Sequence, residues 1–530
     1  MGLKISYVRN AALLATSAAT LIQLAIFFSV DNLIASALVL CGALTGFYYA
    51  VNRQLLDEYP ISTYSIIGYT IYNFVVPPLG KLADFQGILQ GLNHPILVWV
   101  YGVMGLFALV LAHCVYRGFL PYQTIRFSVT NIFYRPLHFF DMPNEIQFWI
   151  MGIVGIAATL ATFRHPSAGG SSILSSVARG FVPLIYTPYL AAFPNLVDPR
   201  YRVKRGPIRL RLIAYSAVLI AASAAVNSRS FMLTGFASLI CVYGYRVITG
   251  TISPPKLTAK FFIVIAVCLW LITGPMSNLA ASMLIARKMR ANVSPVELAR
   301  TTGNIYRSGI AIKAYQNSLA HPVRAGSYNE AYYSSLFLNR FGNMRLTDLS
   351  IDAARGVMAS GRSSYFRRNQ LERVIAVLPD PIIRFLNWNI DKTEVLSGSS
   401  EDVLYELATG FPVGGFKTGS ALVILRMTFG IMWPVYYGLM ATFVFAVFDA
   451  STDVDSCWGG DNRRAGYVVF NPLIAATLFG YAFYLAIAQD VSYYAALLTR
   501  AWITIGVSYA VVFMLSKYIS SLLLGWTWRR

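Results

Sequence analysis

Charge is what this sequence has least of: 12% of its 530 residues are Asp, Glu, Lys or Arg, while 56% are hydrophobic. A chain so poor in charge, with a mean hydropathy of +0.55, cannot cover a water-facing surface and belongs in lipid. Acidic residues are scarcer still, 23 against 43 Lys or Arg, leaving a net charge of +20. Loops between membrane spans need that basic excess and anionic headgroups attract it, so the charge points to the bilayer and no nucleic-acid partner is expected. Cysteine is too sparse and too scattered for a disulfide framework: Cys41, Cys114, Cys241 and Cys268 lie in apolar runs and Cys457 in a short loop. None stands at metal-ligand spacing, so neither a metal nor another cofactor is expected. The sequence also lacks repeats, low-complexity tracts and a strand-rich segment.

Apolar length is abundant instead. About twelve stretches of roughly 15 to 25 residues match a bilayer's thickness. They cover 11–30, 33–51, 61–82, 95–116, 146–163, 173–194, 212–227, 230–247, 260–283, 419–448, 467–488 and 493–515. The first follows the basic start MGLKISYVRN, but another apolar run comes at once, so it reads as an uncleaved helix. With the N terminus inside, the basic loops 117–145, NLVDPRYRVKRGPIRLR and YRVITGTISPPKLTAK and the WTWRR tail are all cytoplasmic. The short links DN, residues 83–94, RHPSAGGSS, NSRS and QDVS then lie outside, as must residues 284–418. Long loops escape the charge rule, so the basic content of that segment is no objection. Within it, SPVE at 294–297 carries Ser294 as N-cap, Pro295 in the first turn and Glu297 three residues on. The predicted helix runs towards His321, with further helical stretches around 330–358 and 365–379. LPDP and GFPVGG mark turns. The expected fold is an all-α polytopic membrane bundle: about nine spans in 1–283, a helical external domain in 284–418, and about three spans in 419–530.

Arginines inside apolar runs need an explanation. VNSRSFMLTGF at 226–236 sets Arg229 at the outer tip of a hairpin of spans, and on the same topology Arg179, Arg426 and Arg500 fall near the outer third of theirs. A charge in hydrocarbon costs at least about 2.5 to 3.5 kcal/mol on insertion scales. Each could snorkel to the surface, but four at one depth suit a wet site. Clustered guanidinium groups fit an anionic headgroup, a pyrophosphate above all, because the planar fork donates bidentate bonds and keeps its charge. The external segment repeats this chemistry, with 17 Lys or Arg against 11 Asp or Glu. In LNRFGNMRLTD, Arg340 and Arg345 lie five apart with Asp348 three beyond, and on a helix Arg345 and Asp348 share a face, as an ordinary surface ion pair also would. GSYNEAYY mixes Tyr328, Tyr332 and Tyr333 with Asn329 and Glu330, a composition that suits either sugar binding or a membrane-interface belt.

The layout of many spans, an arginine-tipped hairpin, one late external domain and two or three closing spans resembles the Wzy-type O-antigen and exopolysaccharide repeat-unit polymerases. PDPIIRFLNWNIDK at 379–392 looks like that group's segment of an arginine after a proline, then a tryptophan and a lysine, here Arg384, Trp388 and Lys392. GFPVGGFKTGSALVILRMTFGIMWPVYYG resembles its membrane re-entry segment, with Phe429 and Gly430 in a glycine-containing turn. The departures are that Pro381 is not adjacent to Arg384, no proline follows Trp388, and Arg426 stands where an acidic residue is frequent.

The resemblance implies a bacterial inner-membrane GT-C-type enzyme with both termini cytoplasmic. It would join undecaprenyl-pyrophosphate-linked oligosaccharide units on the periplasmic face, beside a flippase and a chain-length regulator of the same pathway. Such glycosyl transfer needs developing diphosphate charge stabilised and a hydroxyl proton removed. The candidate catalytic residues are Arg340, Asp348, Glu330 and His321. Candidates for holding pyrophosphate or sugar are Arg229, Arg345, Arg384, Lys392, Arg426, Arg179, Arg500, Tyr328 and Trp388. A ligase using the same donor shares nearly all of these features. A flippase or transporter would more often have two related halves and short outer loops. Polyprenyl-monophosphate-dependent GT-C enzymes carry acidic residues in a long first external loop, which here is DN.

The topology has a direct test. In intact spheroplasts an impermeant thiol reagent is expected to label Ala325→Cys and to spare Arg205→Cys; the reverse pattern would remove the basis for an external site.

Overall fold

The structure, a computed structural model, describes residues 5–162, 173–202, 208–226, 228, 230–256, 258–289, 293–320, 329–334, 338–411, 417–455 and 467–527. Among them the chain is nearly all helix, with one two-stranded antiparallel ladder. Eight helices carry the argument: α1 (Val30–Ala50), α2 (Pro60–Thr70), α3 (Pro95–Gly118), α4 (Ser230–Ile248), α5 (Asn343–Ala359), α6 (Ser400–Thr409), α7 (Ala421–Phe429) and α8 (Trp433–Ala450). Among the described residues, five helices are long and apolar enough to cross a membrane: Val30–Ala50, Pro95–Gly118, Phe261–Ala286, Ala421–Ala450 and Val491–Leu522. The fourth of these is α7 and α8 together, broken at Gly430, whose φ of 61° lies in the left-handed region that glycine tolerates.

Several expected spans are interrupted. Residues 467–488 do not form one helix. The strand β2 (Tyr467–Phe470) pairs antiparallel with β1 (Thr452–Asp455), and the short helices Pro472–Ala476, Leu478–Ala482 and Tyr484–Ile487 follow. Asn471 accounts for the change, since its side chain accepts from the amides of Leu473 and Ile474 and starts a new helix at Pro472. The 173–194 stretch is likewise divided into Ile173–Phe181, a 3-10 turn Val182–Tyr186 and Pro188–Ala192. Its prolines at 183, 188 and 194 each lack an N–H for the helical ladder. Apolarity measured over a window is blind to these breaks.

One hydrophobic core joins the bundle to the long loop. α3 packs along α8 and α1. Met344, Ile351 and Val357 of α5 and Leu404 of α6 lie in the same cluster as Val39, Leu109 and Phe445 of the spans. Backbones approach closely where a side chain is absent: a methyl on Gly68 would meet Ala482 O at 1.9 Å, and one on Gly155 would meet Ile185 N at 2.2 Å.

The helix ends at one pole of the bundle are tied by a buried polar chain. Asp449, at the end of α8, accepts from the amides of Ile61 and Ser62 at 2.9 Å each and from the Ser62 hydroxyl, so its carboxylate caps α2. His113 Nε2 lies 3.0 Å from Ser62 Oγ, and Tyr49 OH lies 2.7 Å from His113 Nδ1, which adds the ends of α3 and α1. Nearby, the wholly buried Arg246 of α4 donates to Leu196 O at 3.0 Å, Val197 O at 2.6 Å and Val468 O at 2.7 Å. It thereby satisfies buried carbonyls of the 194–197 turn and of β2 that water does not reach.

Arg246→Met should therefore destabilise the chain strongly, since each buried acceptor left without a donor costs about 1 to 3 kcal/mol. Thermal unfolding in detergent is expected to move well below wild type; an unchanged midpoint would contradict this role.

Candidate functional site

The opposite pole is organised by α5. Arg345, Asp348, Asp352 and Arg355 stand three, four and three residues apart, so one face of the helix carries four charges. That face lies against the start of α3. Asp348, with no exposed surface, accepts from His94 N at 2.7 Å and Asn93 N at 2.9 Å. It also pairs with Arg345 at 2.7 Å. Arg345 continues to Gly91 O at 2.9 Å and Asn329 O at 3.0 Å. The pair foreseen from spacing is therefore formed, but buried. Asp348 spends its lone pairs on amides and a guanidinium, and so serves as a helix cap, not as an accessible base.

One turn further along α5 the same face opens to solvent. His94 Nε2 lies 2.6 Å from Asp352 Oδ1, and the Asn93 side-chain amide donates to the other Asp352 oxygen. The side chains of His94 and Asp352 are 18% and 39% exposed, so a ligand can reach this pair. Arg355 NH1 stands 3.1 Å from His94 Nδ1 and 3.5 Å from Nε2. Two turns along α3 from His94, Tyr101 lies within the electrostatic field of Arg426 of α7 and, more weakly, of Arg355. Arg355 and Arg426 are both exposed, and the Tyr101 ring packs 5.6 Å from Trp433. Arg355 thus stands on a His–Asp pair, and a second guanidinium, from α7, acts on Tyr101 two turns along the same helix. This assembly is the candidate site.

The remaining expected residues fall elsewhere or nowhere describable. Arg229, His321 and Tyr328 lie outside the described residues, and of Arg340 only the backbone is described, in the turn Leu338–Phe341. Arg179 and Arg500 are exposed on neighbouring helices, where Gly180 packs against Thr504. Arg384 and Trp388 are exposed in a turn that Lys392 closes by pairing with Asp380 at 2.6 Å and bonding to Leu378 O. That hydrogen bond and charge hold the Asp380 carboxyl below its usual range. Lys392 is thus committed to the turn. Tyr332 and Tyr333 are buried, with Tyr332 OH on Ile88 O and its ring under Lys81, so they pack the loop onto the bundle and present no face to a sugar.

Two carboxyls flank the approach to α7. Glu330 has an open edge to solvent, but crowding by the surrounding chain raises its pKa, against the Thr418 amide and the charges of Arg287 and Lys417. Glu401 is buried. Its Oε2 accepts from Ser350 Oγ at 2.8 Å, and its Oε1 has no hydrogen-bond partner among the described residues. Burial pushes this carboxyl up to about 8, against the Ser350 hydrogen bond, with Asp402 and Glu330 adding to the rise and Lys417 opposing it. Sequence reasoning missed His94, Asp352, Arg355 and Glu401. The stripe at 345, 348, 352 and 355 was a usable signal, and so was a histidine directly before the proline that opens α3; burial of Glu401 had none.

The folded chain keeps a proton on Glu401 that the unfolded chain releases above about 4.5, so stability falls as pH rises from about 4.5 through about 8. Glu401→Gln should remove that slope. Melting midpoints across this range are expected to decline less in the variant; parallel wild-type and variant curves would refute the assignment.

No family model matches the chain, and no curated protein or solved structure matches it either.

Proposed function

We propose that this protein is a membrane glycosyltransferase that polymerises undecaprenyl-pyrophosphate-linked oligosaccharide units at the outer face of a bacterial inner membrane. The observation that carries the reading is the half-open His94–Asp352 pair beneath the exposed Arg355, with the exposed Arg426 of α7 acting on Tyr101 two turns along α3. Guanidinium groups held on separate helices offer fixed donors to a leaving diphosphate without help from a metal. The long apolar helices supply a surface for the lipid carrier. The basic segment 284–418 contributes α5, and with it most of the charged face, so donor and acceptor would meet where the loop sits on the end of the bundle.

Deleting the gene should leave single lipid-linked repeats at the outer face and no long polymer. Repeats trapped inside would indicate a flippase, and polymer on the carrier that never reaches its final acceptor would indicate a ligase. Normal polymer, in a strain with no second polymerase, would reject the reading. Within the site, Arg355→Lys and Arg426→Lys should fail nearly as badly as the alanine variants, because an ammonium loses the fork. A preorganised donor lost at developing charge costs about 2.7 to 4 kcal/mol, roughly a hundred- to a thousandfold in rate. Arg229, Arg340 and Arg384 are expected to behave alike if they join the site in the working enzyme. Full polymer from these lysine variants at normal abundance would show that the arginines serve only the fold.

A further inference from the structure

The geometry around His94 says which of its nitrogens is available. An ionised carboxylate only accepts, so the ring nitrogen facing Asp352, Nε2, carries the hydrogen and Nδ1 keeps its lone pair. Arg355 NH1 does not cap that lone pair. A donor placed on it would stand far from Nε2, across the ring, whereas NH1 is nearly equidistant from the two nitrogens, at 3.1 and 3.5 Å. The guanidinium therefore lies over the face of the imidazole. His94 makes no side-chain hydrogen bond to its own helix start either. What remains is an imidazole held through Nε2 by Asp352, 18% exposed, whose in-plane Nδ1 lone pair meets no donor among the described residues.

We propose that His94 takes the proton of the acceptor hydroxyl through Nδ1, with Asp352 as its positioning residue and Arg355 and Arg426 facing the departing diphosphate. This rests on the glycosyl-transfer reading. The hydroxyl O–H bond breaks and its proton goes to Nδ1. The freed oxygen pair forms the bond to the donor's anomeric carbon. The anomeric C–O bond to diphosphate breaks, and its electrons leave on the diphosphate oxygen. The charged and titratable groups around His94 are Asp348, Asp352, Arg345 and Arg355 of α5, and further along α3 lies Tyr101, on which Arg426 of α7 acts. Asp352 favours the imidazolium that forms on proton uptake, and Arg355 over the ring opposes it until the diphosphate shares its charge.

Two measurements separate the base from the reaction. Carbethoxylation of the full chain in nanodiscs, read by mass spectrometry, needs no substrate. His94 should react many-fold faster than His113, which is buried with both ring nitrogens bonded. Equal rates would overturn the open lone pair, whatever the enzyme does. The second measurement is chain growth in membranes of the native strain, fed by its own lipid-linked repeats. His94→Gln keeps a donor to Asp352, so melting and abundance should hold while chain growth falls about a hundredfold or more. Near-normal chain growth would overturn the proposal. If that variant fails to fold, Asp352→Asn decides: turnover should fall and the acid limb of the pH profile should move to lower pH, whereas an unmoved limb would overturn it. Fast carbethoxylation alongside normal polymer in the deletion strain would instead sink the polymerase reading and leave the geometry standing.

Discussion

A helix that starts inside an apolar assembly leaves amides with no water to bond, and in this chain two buried aspartates answer that demand at opposite poles. Asp449 closes the start of α2, and Asp348 closes the start of α3. Each carboxylate comes from an element far away in sequence, so satisfying the amides also fixes which helix ends meet. At the Asp449 pole the ends of α1, α2, α3 and α8 are brought together through Ser62, His113 and Tyr49. At the Asp348 pole α5 is laid across α3, and its core residues are drawn in behind it.

The candidate site follows from that second cap. Once Asp348 docks α5, helical spacing brings Asp352 and Arg355 to the rim one and two turns on, where His94 meets them. The cap itself is dry and fully used; the rim is wet and partly unused. Chemistry needs the second kind of place, because a catalytic lone pair has to be reachable. The same principle divides the arginines. Arg246 is consumed by three carbonyls and Arg345 by two carbonyls and a carboxylate, whereas Arg355 and Arg426 keep exposed edges. Depth in an apolar run does not distinguish them, since only the partners show whether a guanidinium is structural or on offer.

The sequence by itself determined a helical chain rich in long apolar stretches, the Ser294 cap, and the shared face of Arg345 and Asp348. Those are local or compositional properties, set by apolarity, helix capping and a 3.6-residue period. Apolarity over a window overstated the continuity of 173–194 and 467–488, where proline and an asparagine cap divide the helix. Tertiary structure alone decided that Asp348 is a cap, that Tyr332 and Tyr333 are packing, that Glu401 is buried, and that His94 meets Asp352 across 258 positions of chain. The physical reason is that burial and pairing depend on what lies opposite a side chain. In a bundle, that neighbour is chosen by the competition of many helix ends for the few groups able to satisfy them.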